Sequence, residues 1–278
     1  MTFNLGFSPC PNDTFIFDAL VHQKIDTADY RFNVEMHDVQ ILNQLALQNK
    51  LHISKISYGV LPLVTPHYHV LQSGGALGMG VGPLLVAKKQ IPLTQIPNCT
   101  IAIPGQNTTA HILFSLAFPH AQLKEFMVFH EIENAILSGQ VDAGVIIHEN
   151  RFTYAQKGLL QLMDLGAHWE QQLQVPIPLG GIIISKQIPV QIAATINTYL
   201  QQSIEYAWSQ FPSLPPFVTN HAQEMSEDVM RQHIQLYVNH YSVQLGAEGQ
   251  AAVNSLLQVY RQQYPQTNFS EPVSFITS

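Results

Sequence analysis

The chain has 278 residues, 46% of them hydrophobic and only 11% charged. This balance excludes a disordered polyelectrolyte and supplies a large core, enough for about two domains. Twelve Lys and Arg against nineteen Asp and Glu give a formal net charge of −7, so nucleic acid and anionic membrane meet no basic surplus.

The start, MTFNLGFSPCPNDTF, carries no basic segment followed by a long apolar one, and no apolar run approaches the ~18 residues of a membrane span. Cys10 and Cys99 are too few for a disulfide scaffold. These features predict a soluble protein of a reducing compartment, the cytoplasm.

Residues 4–8 predict a first strand. The prolines of PCPND (9–13) end it, and Asn12 or Asp13 is placed to cap a helix over 14–22. Residues 32–36 predict a second strand. Asp38 caps a helix over 39–49, where Val39, Leu42, Leu45 and Ala46 recur at helical spacing. A third strand follows at 52–56, then Ser57-Tyr58-Gly59 and an apolar segment to Val64. This alternation predicts parallel pairing through right-handed crossovers.

The glycine-rich stretch SGGALGMGVGP (73–83) leads into a strand at 84–87. The second unit repeats the pattern: a strand at 100–103, a turn at 104–107, a cap at Asn107 or Thr108, and a helix over 109–118. A strand at 127–130, a short helix at 131–138 ended by Gly139, and a strand over 141–147 ending in His148 complete it. The segment GGIIISKQIP (180–189) echoes GPLLVAKKQIP (82–92). With the chain crossing at the first and returning at the second, both are hinge strands. One domain is then discontinuous, 1–86 with 184–278, and the other, 87–183, is inserted into it. Helices over 192–208, 226–239 and 247–260 follow, with a linker at 212–216 and a loosely ordered end from Pro265.

Open parallel α/β sheets bind ligands beyond the carboxyl ends of their strands. Three such ends carry polar residues, at 10–14, 54–57 and 107–109. Helix N-termini there offer unpaired N–H groups suited to a carboxylate; plain capping by Ser, Thr, Asn and Asp is the alternative at each. His148, followed by Glu149, Asn150 and Arg151, stands where a sheet places a general base, or is a structural histidine. Whether Glu149 and Arg151 orient it is left open. Cys10 lies between prolines with no base partner in sequence, which favours a structural role. His67 and His69 have no third ligand at zinc spacing, and no HExxH or paired CxxC occurs, so no metal site is expected. GMGVG (78–82) precedes a strand instead of opening a helix and lacks the Gly-Lys-Ser/Thr ending, so it fails as a nucleotide loop.

The stretches GFSPCPNDTFIFDALVH (6–22), SKISYG (54–59), SGGALGMGVGPLLVA (73–87), PGQNTTA (104–110) and DAGVIIHENRFTY (142–154) together resemble the 1,4-dihydroxy-6-naphthoate synthases of the futalosine route to menaquinone. The resemblance implies a two-domain α/β fold like the type II periplasmic solute-binding proteins, with an interdomain cleft. It implies conversion of cyclic dehypoxanthinyl futalosine, a small carboxylate, to 1,4-dihydroxy-6-naphthoate without metal or organic cofactor. It places the base on His148 and substrate contacts on Lys55, Ile56, Ser57, Thr108 and Thr109, with Asn43 a further pocket position. No nucleic-acid or membrane partner is implied, and the oligomeric state is not read. A non-catalytic solute-binding protein on the same scaffold and the sibling chorismate dehydratase are the alternatives.

Overall fold

The computed structural model describes residues 1–148, 150–222, 226–267 and 273–276. The chain opens with β1 (Thr2–Phe7), α1 (Pro11–Val21), β2 (Arg31–Met36), α2 (Val39–Leu47), β3 (Ile53–Ser57), α3 (Leu61–Val64), β4 (Tyr68–Leu71) and β5 (Ala76–Gly78). A middle section holds β6 (Leu84–Ala87), β7 (Ile101–Ile103), α4 (Thr109–Ala117), β8 (Lys124–Phe126), α5 (Ile132–Ser138), β9 (Ala143–Ile146), α6 (Asn150–Thr153), β10 (Leu160–Asp164) and α7 (Leu165–Leu173). The chain ends with β11 (Ile177–Ser185), α8 (Val190–Gln210), α9 (Pro216–Thr219), α10 (Glu227–Tyr237), α11 (His240–Val243), α12 (Gly246–Gln263) and β12 (Phe275–Ile276).

Two sheets result. Seven strands form one, in the order β12-β4-β11-β3-β1-β2 with β5 paired to β11, and five form the other, β10-β6-β9-β7-β8. As the alternation predicted, β1 pairs in parallel with β2 and β3, and β7 with β8 and β9. The chain leaves the first sheet between β5 and β6 and re-enters it between β10 and β11. The exchange therefore runs through 79–83 and 165–176, not through the strands at 84–87 and 180–185. Those two strands are wholly committed to one sheet each. The connections instead touch each other: a Cβ on Gly82 would stand 2.3 Å from Gly166 Cα, and Leu165 N–H donates to Pro83 O. Only glycine permits that approach.

Three departures from the sequence reading have local causes. Helix α1 begins at Pro11, with Cys10 at the N-cap position but making no side-chain cap, because proline at the first helical position lacks only an N–H that would go unpaired. Asn12 and Asp13 are thereby released from capping. The run 127–130 is not a strand; β8 lies just before it, and 129–131 form a tight turn that buries Phe129. The end from Pro265 departs from the expected loose order at its described part, where Val273 and Ile276 are buried and β12 pairs with β4; residues 268–272 and 277–278 lie outside the described residues. Among the described residues, no helix is long and apolar enough to cross a membrane.

Candidate active site

A cavity of about 710 Å³, part of it open to solvent, lies between the sheets. Its lining brings together Lys55, Ile56, Ser57, Thr108, Thr109 and His148. Asn43 is not in the lining. It is fully buried behind the wall, where Oδ1 accepts from Ser57 N–H (3.0 Å) and Nδ2 donates to Asn107 O (2.8 Å). Its whole amide braces one sheet's strand end to the loop opening α4.

The floor is a seam between the two halves. At the end of β3, Ser57 Oγ accepts from Thr109 N–H at 2.7 Å. Thr109 Oγ1 donates to Leu179 O at 3.0 Å. Thr108 caps α4 in the ordinary way, its Oγ1 accepting from His111 N–H at 3.2 Å. Of the orphan amides of α4, Thr109 and His111 are thus already partnered. Among the described residues, no hydrogen bond takes the N–H of Ala110, a residue of the cavity lining. That donor, at the positive end of the helix, suits an anion.

His148 follows β9 with φ +56°. A non-glycine residue in the left-handed region costs about 1 kcal/mol or more and is held there only by its surroundings. Those surroundings are visible. Arg151 donates to Gly82 O at 2.7 Å, and Asn150 Nδ2 donates to Glu133 Oε2 at 2.6 Å. Glu133, itself buried, also takes Lys157 Nζ at 2.6 Å. Glu149 lies outside the described residues. The His148 ring meets Phe129 at 4.9 Å between centroids and lies nearly parallel to His233, at 6.1 Å and 14°.

A buried network forms the opposite wall. Asp13 Oδ2 accepts from Ser8 N–H and Oγ–H (3.1 and 2.7 Å). Its Oδ1 takes Asn12 Nδ2 (2.8 Å) and Lys55 Nζ (3.2 Å). Lys55 also donates to Gly74 O at 2.9 Å, so its ammonium serves the wall before it serves a ligand. Because Asn12 Nδ2 donates to Asp13, Asn12 Oδ1 is the acceptor for His233 Nε2–H at 2.9 Å. Burial, with His148 adding to it, holds the His233 imidazole well below its ordinary range, so it is neutral.

Asn12, Asp13, Ser8, His233 and Tyr237 were not among the predicted site residues. Pro11 was the signal for the first two, since proline at the helix start moves the cap back to Cys10. For His233 the signal was spacing: Met230, His233, Ile234 and Tyr237 form the buried stripe of α10, an imidazole on an apolar face. Among the described residues, no group of three or more His, Cys, Asp or Glu side chains is arranged to hold a metal ion. Both cysteines are free thiols.

Comparison with known proteins places these features in context. Residues 3–262 match the model of a family described as menaquinone biosynthesis. The chain is 40% identical over 262 residues to a 1,4-dihydroxy-6-naphthoate synthase of Streptomyces coelicolor, covering 92% of each. It is 40% identical over 252 residues to the enzyme of that name from Thermus thermophilus, covering 91% of each. Among solved structures, an Archaeoglobus fulgidus protein superposes with a TM-score of 0.89 at 28% identity, covering 94% of this chain and 97% of the other. At 10% identity the likeness reaches a Candida albicans protein described as having the generic periplasmic binding protein fold, with a TM-score of 0.67 over 100% of this chain and 98% of that one. The architecture is therefore the two-domain α/β fold of periplasmic binding proteins.

Proposed function

Because the chain belongs to the menaquinone-biosynthesis family whose model spans residues 3–262, we propose that its cleft converts cyclic dehypoxanthinyl futalosine to 1,4-dihydroxy-6-naphthoate in the cytoplasm, as a carbon–carbon lyase with His148 as base. One observation carries this reading. His148 stands in strained backbone at a strand end, facing the same cavity as Ser57, Thr109 and the Ala110 amide.

The geometry supports the following roles. The carboxylate of the substrate lies at the start of α4, against the Ala110 N–H and the Ser57–Thr109 seam. Its ring packs against Ile56, Val81, Ile147 and Leu179, the apolar part of the lining. Histidine takes up and returns protons near neutral pH. A proton removed by the imidazole frees an electron pair that drives cleavage of the carbon–carbon bond to the sugar-derived fragment. Formation of the aromatic ring supplies the driving force. Phe129 and His233 hold the ring in place, and the neutral His233 does so without setting a second positive charge beside it.

The test is naphthoate release by purified protein. His148→Asn is expected to lower kcat by roughly 10²–10⁴ with the melting temperature unchanged. Near-normal turnover by that variant removes His148 from the mechanism. Binding of the substrate by wild type without product favours a solute-binding role, and turnover of chorismate in a parallel assay favours the dehydratase.

A further inference from the structure

A second cavity, of about 510 Å³ and part of it open to solvent, adjoins the first. Ser8, Val39 and His148 line both, so His148 stands at the boundary between two chambers. The two differ in chemistry. The first joins an apolar surface to the amide end of α4, which fits a planar aromatic acid. The second adds Pro9, Cys10, Asp38, Phe129 and His130. There Asp38 uses Oδ1 to accept from Gln40 N–H at 2.8 Å, and the exposed His130 ring lies edge-on to Phe129 at 5.5 Å. A carboxylate and an imidazole suit hydroxyl groups and disfavour a second anion; the Ser8 hydroxyl beside them is taken by Asp13.

We propose that this second chamber binds the polyhydroxylated, sugar-derived half of the substrate. The inference rests on the lyase reading above. A base must come within about 3 Å of the proton it removes. With the bond that breaks set beside His148, its two halves lie on either side of that ring. The half that becomes the naphthoate occupies the first chamber, and the hydroxyl-bearing half has the second.

The substrate and its smaller product separate the chambers experimentally. Asp38→Asn keeps the oxygen that accepts from Gln40 N–H but removes the charge, and His130→Ala alters an exposed side chain that the fold does not need. In the full-length protein, each is expected to raise KM for cyclic dehypoxanthinyl futalosine, Asp38→Asn by about tenfold, the worth of one charge-assisted hydrogen bond. The affinity for 1,4-dihydroxy-6-naphthoate, read by calorimetry, stays within about twofold. Unchanged KM in both variants overturns the proposal. So does naphthoate affinity that falls in step with KM. Wild-type protein that releases no naphthoate overturns the lyase reading and this inference with it, whereas an active wild type with unaffected variants overturns the second chamber alone.

Discussion

Lys55 shows how far a single side chain's chemistry depends on its neighbours. The family resemblance makes it a substrate contact, a cation at a strand end. In the fold it is 6% exposed, with Asp13 Oδ1 at 3.2 Å and Gly74 O at 2.9 Å. Removing one partner of a buried ion pair leaves the other charge uncompensated, at a cost of about 3 kcal/mol. Lys55→Met is therefore expected to lower Tm by roughly 6 °C, and adding Asp13→Asn to recover part of that loss. A fully stable Lys55→Met variant with weakened substrate binding would instead assign the ammonium to the ligand. That His148, Ser57, Thr108 and Thr109 would meet at one cavity was legible because strand-end position and residue type point the same way. Asn12, Asp13 and His233 were not, since each had an adequate local explanation, a cap or a core position, that three-dimensional packing overrides.

At the scale of elements, the seam between β3 and α4 decides how the halves meet. Gly59 lies one residue beyond the Ser57–Tyr58 step, and a Cβ there would stand 2.3 Å from Thr108 C and 2.6 Å from Thr109 N. Both are backbone atoms tied into the start of α4, so no side chain can swing aside. Gly59→Ala is expected to cost about 1–3 kcal/mol by overpacking, seen as a lower Tm, and to raise KM because it pries Ser57 from Thr109. Wild-type Tm and KM would show that the seam yields without cost. The same scale explains which strands the sequence revealed. Strands β6, β7 and β9 are buried throughout, and their apolar runs were read within a few residues. Strands β8 and β10 form the edges of the five-stranded sheet and are half-exposed; their Lys, Glu and Gln side chains give no alternation strong enough to read. Strand β5, three residues within the glycine-rich stretch, pairs with β11, a long-range contact that no local pattern encodes.

For the whole molecule, the two halves are joined by the paired connections at Gly82 and Gly166 and by the seam at the cavity floor, and α4, whose first residue enters that seam, carries a buried titratable group in the same turn. His111, 5% exposed in the first turn of α4, places Nδ1 2.8 Å from Gln106 O and Nε2 3.2 Å from Lys124 Nζ. Phe126 closes its ring edge-on at 5.1 Å. Burial is the main cause that lowers its pKa to about 4; the Gln106 hydrogen bond opposes this and Lys124 reinforces it. The unfolded chain protonates this imidazole near its ordinary 6.5, whereas the folded chain does not until about 4. Above pH 6.5 the group makes no difference. As pH falls from about 6.5 to about 4, the unfolded state binds the extra proton and stability declines, by about 3 kcal/mol in all. The buried His233 acts with the same sign. Thermal unfolding followed from pH 7.5 down to 4 is expected to show Tm falling through this window, with His111→Gln flattening the slope. The stability advantage of wild type over the variant then shrinks by about 3 kcal/mol between pH 6.5 and pH 4. Parallel curves for the two proteins would show that His111 titrates normally and that the acid sensitivity of the seam lies elsewhere.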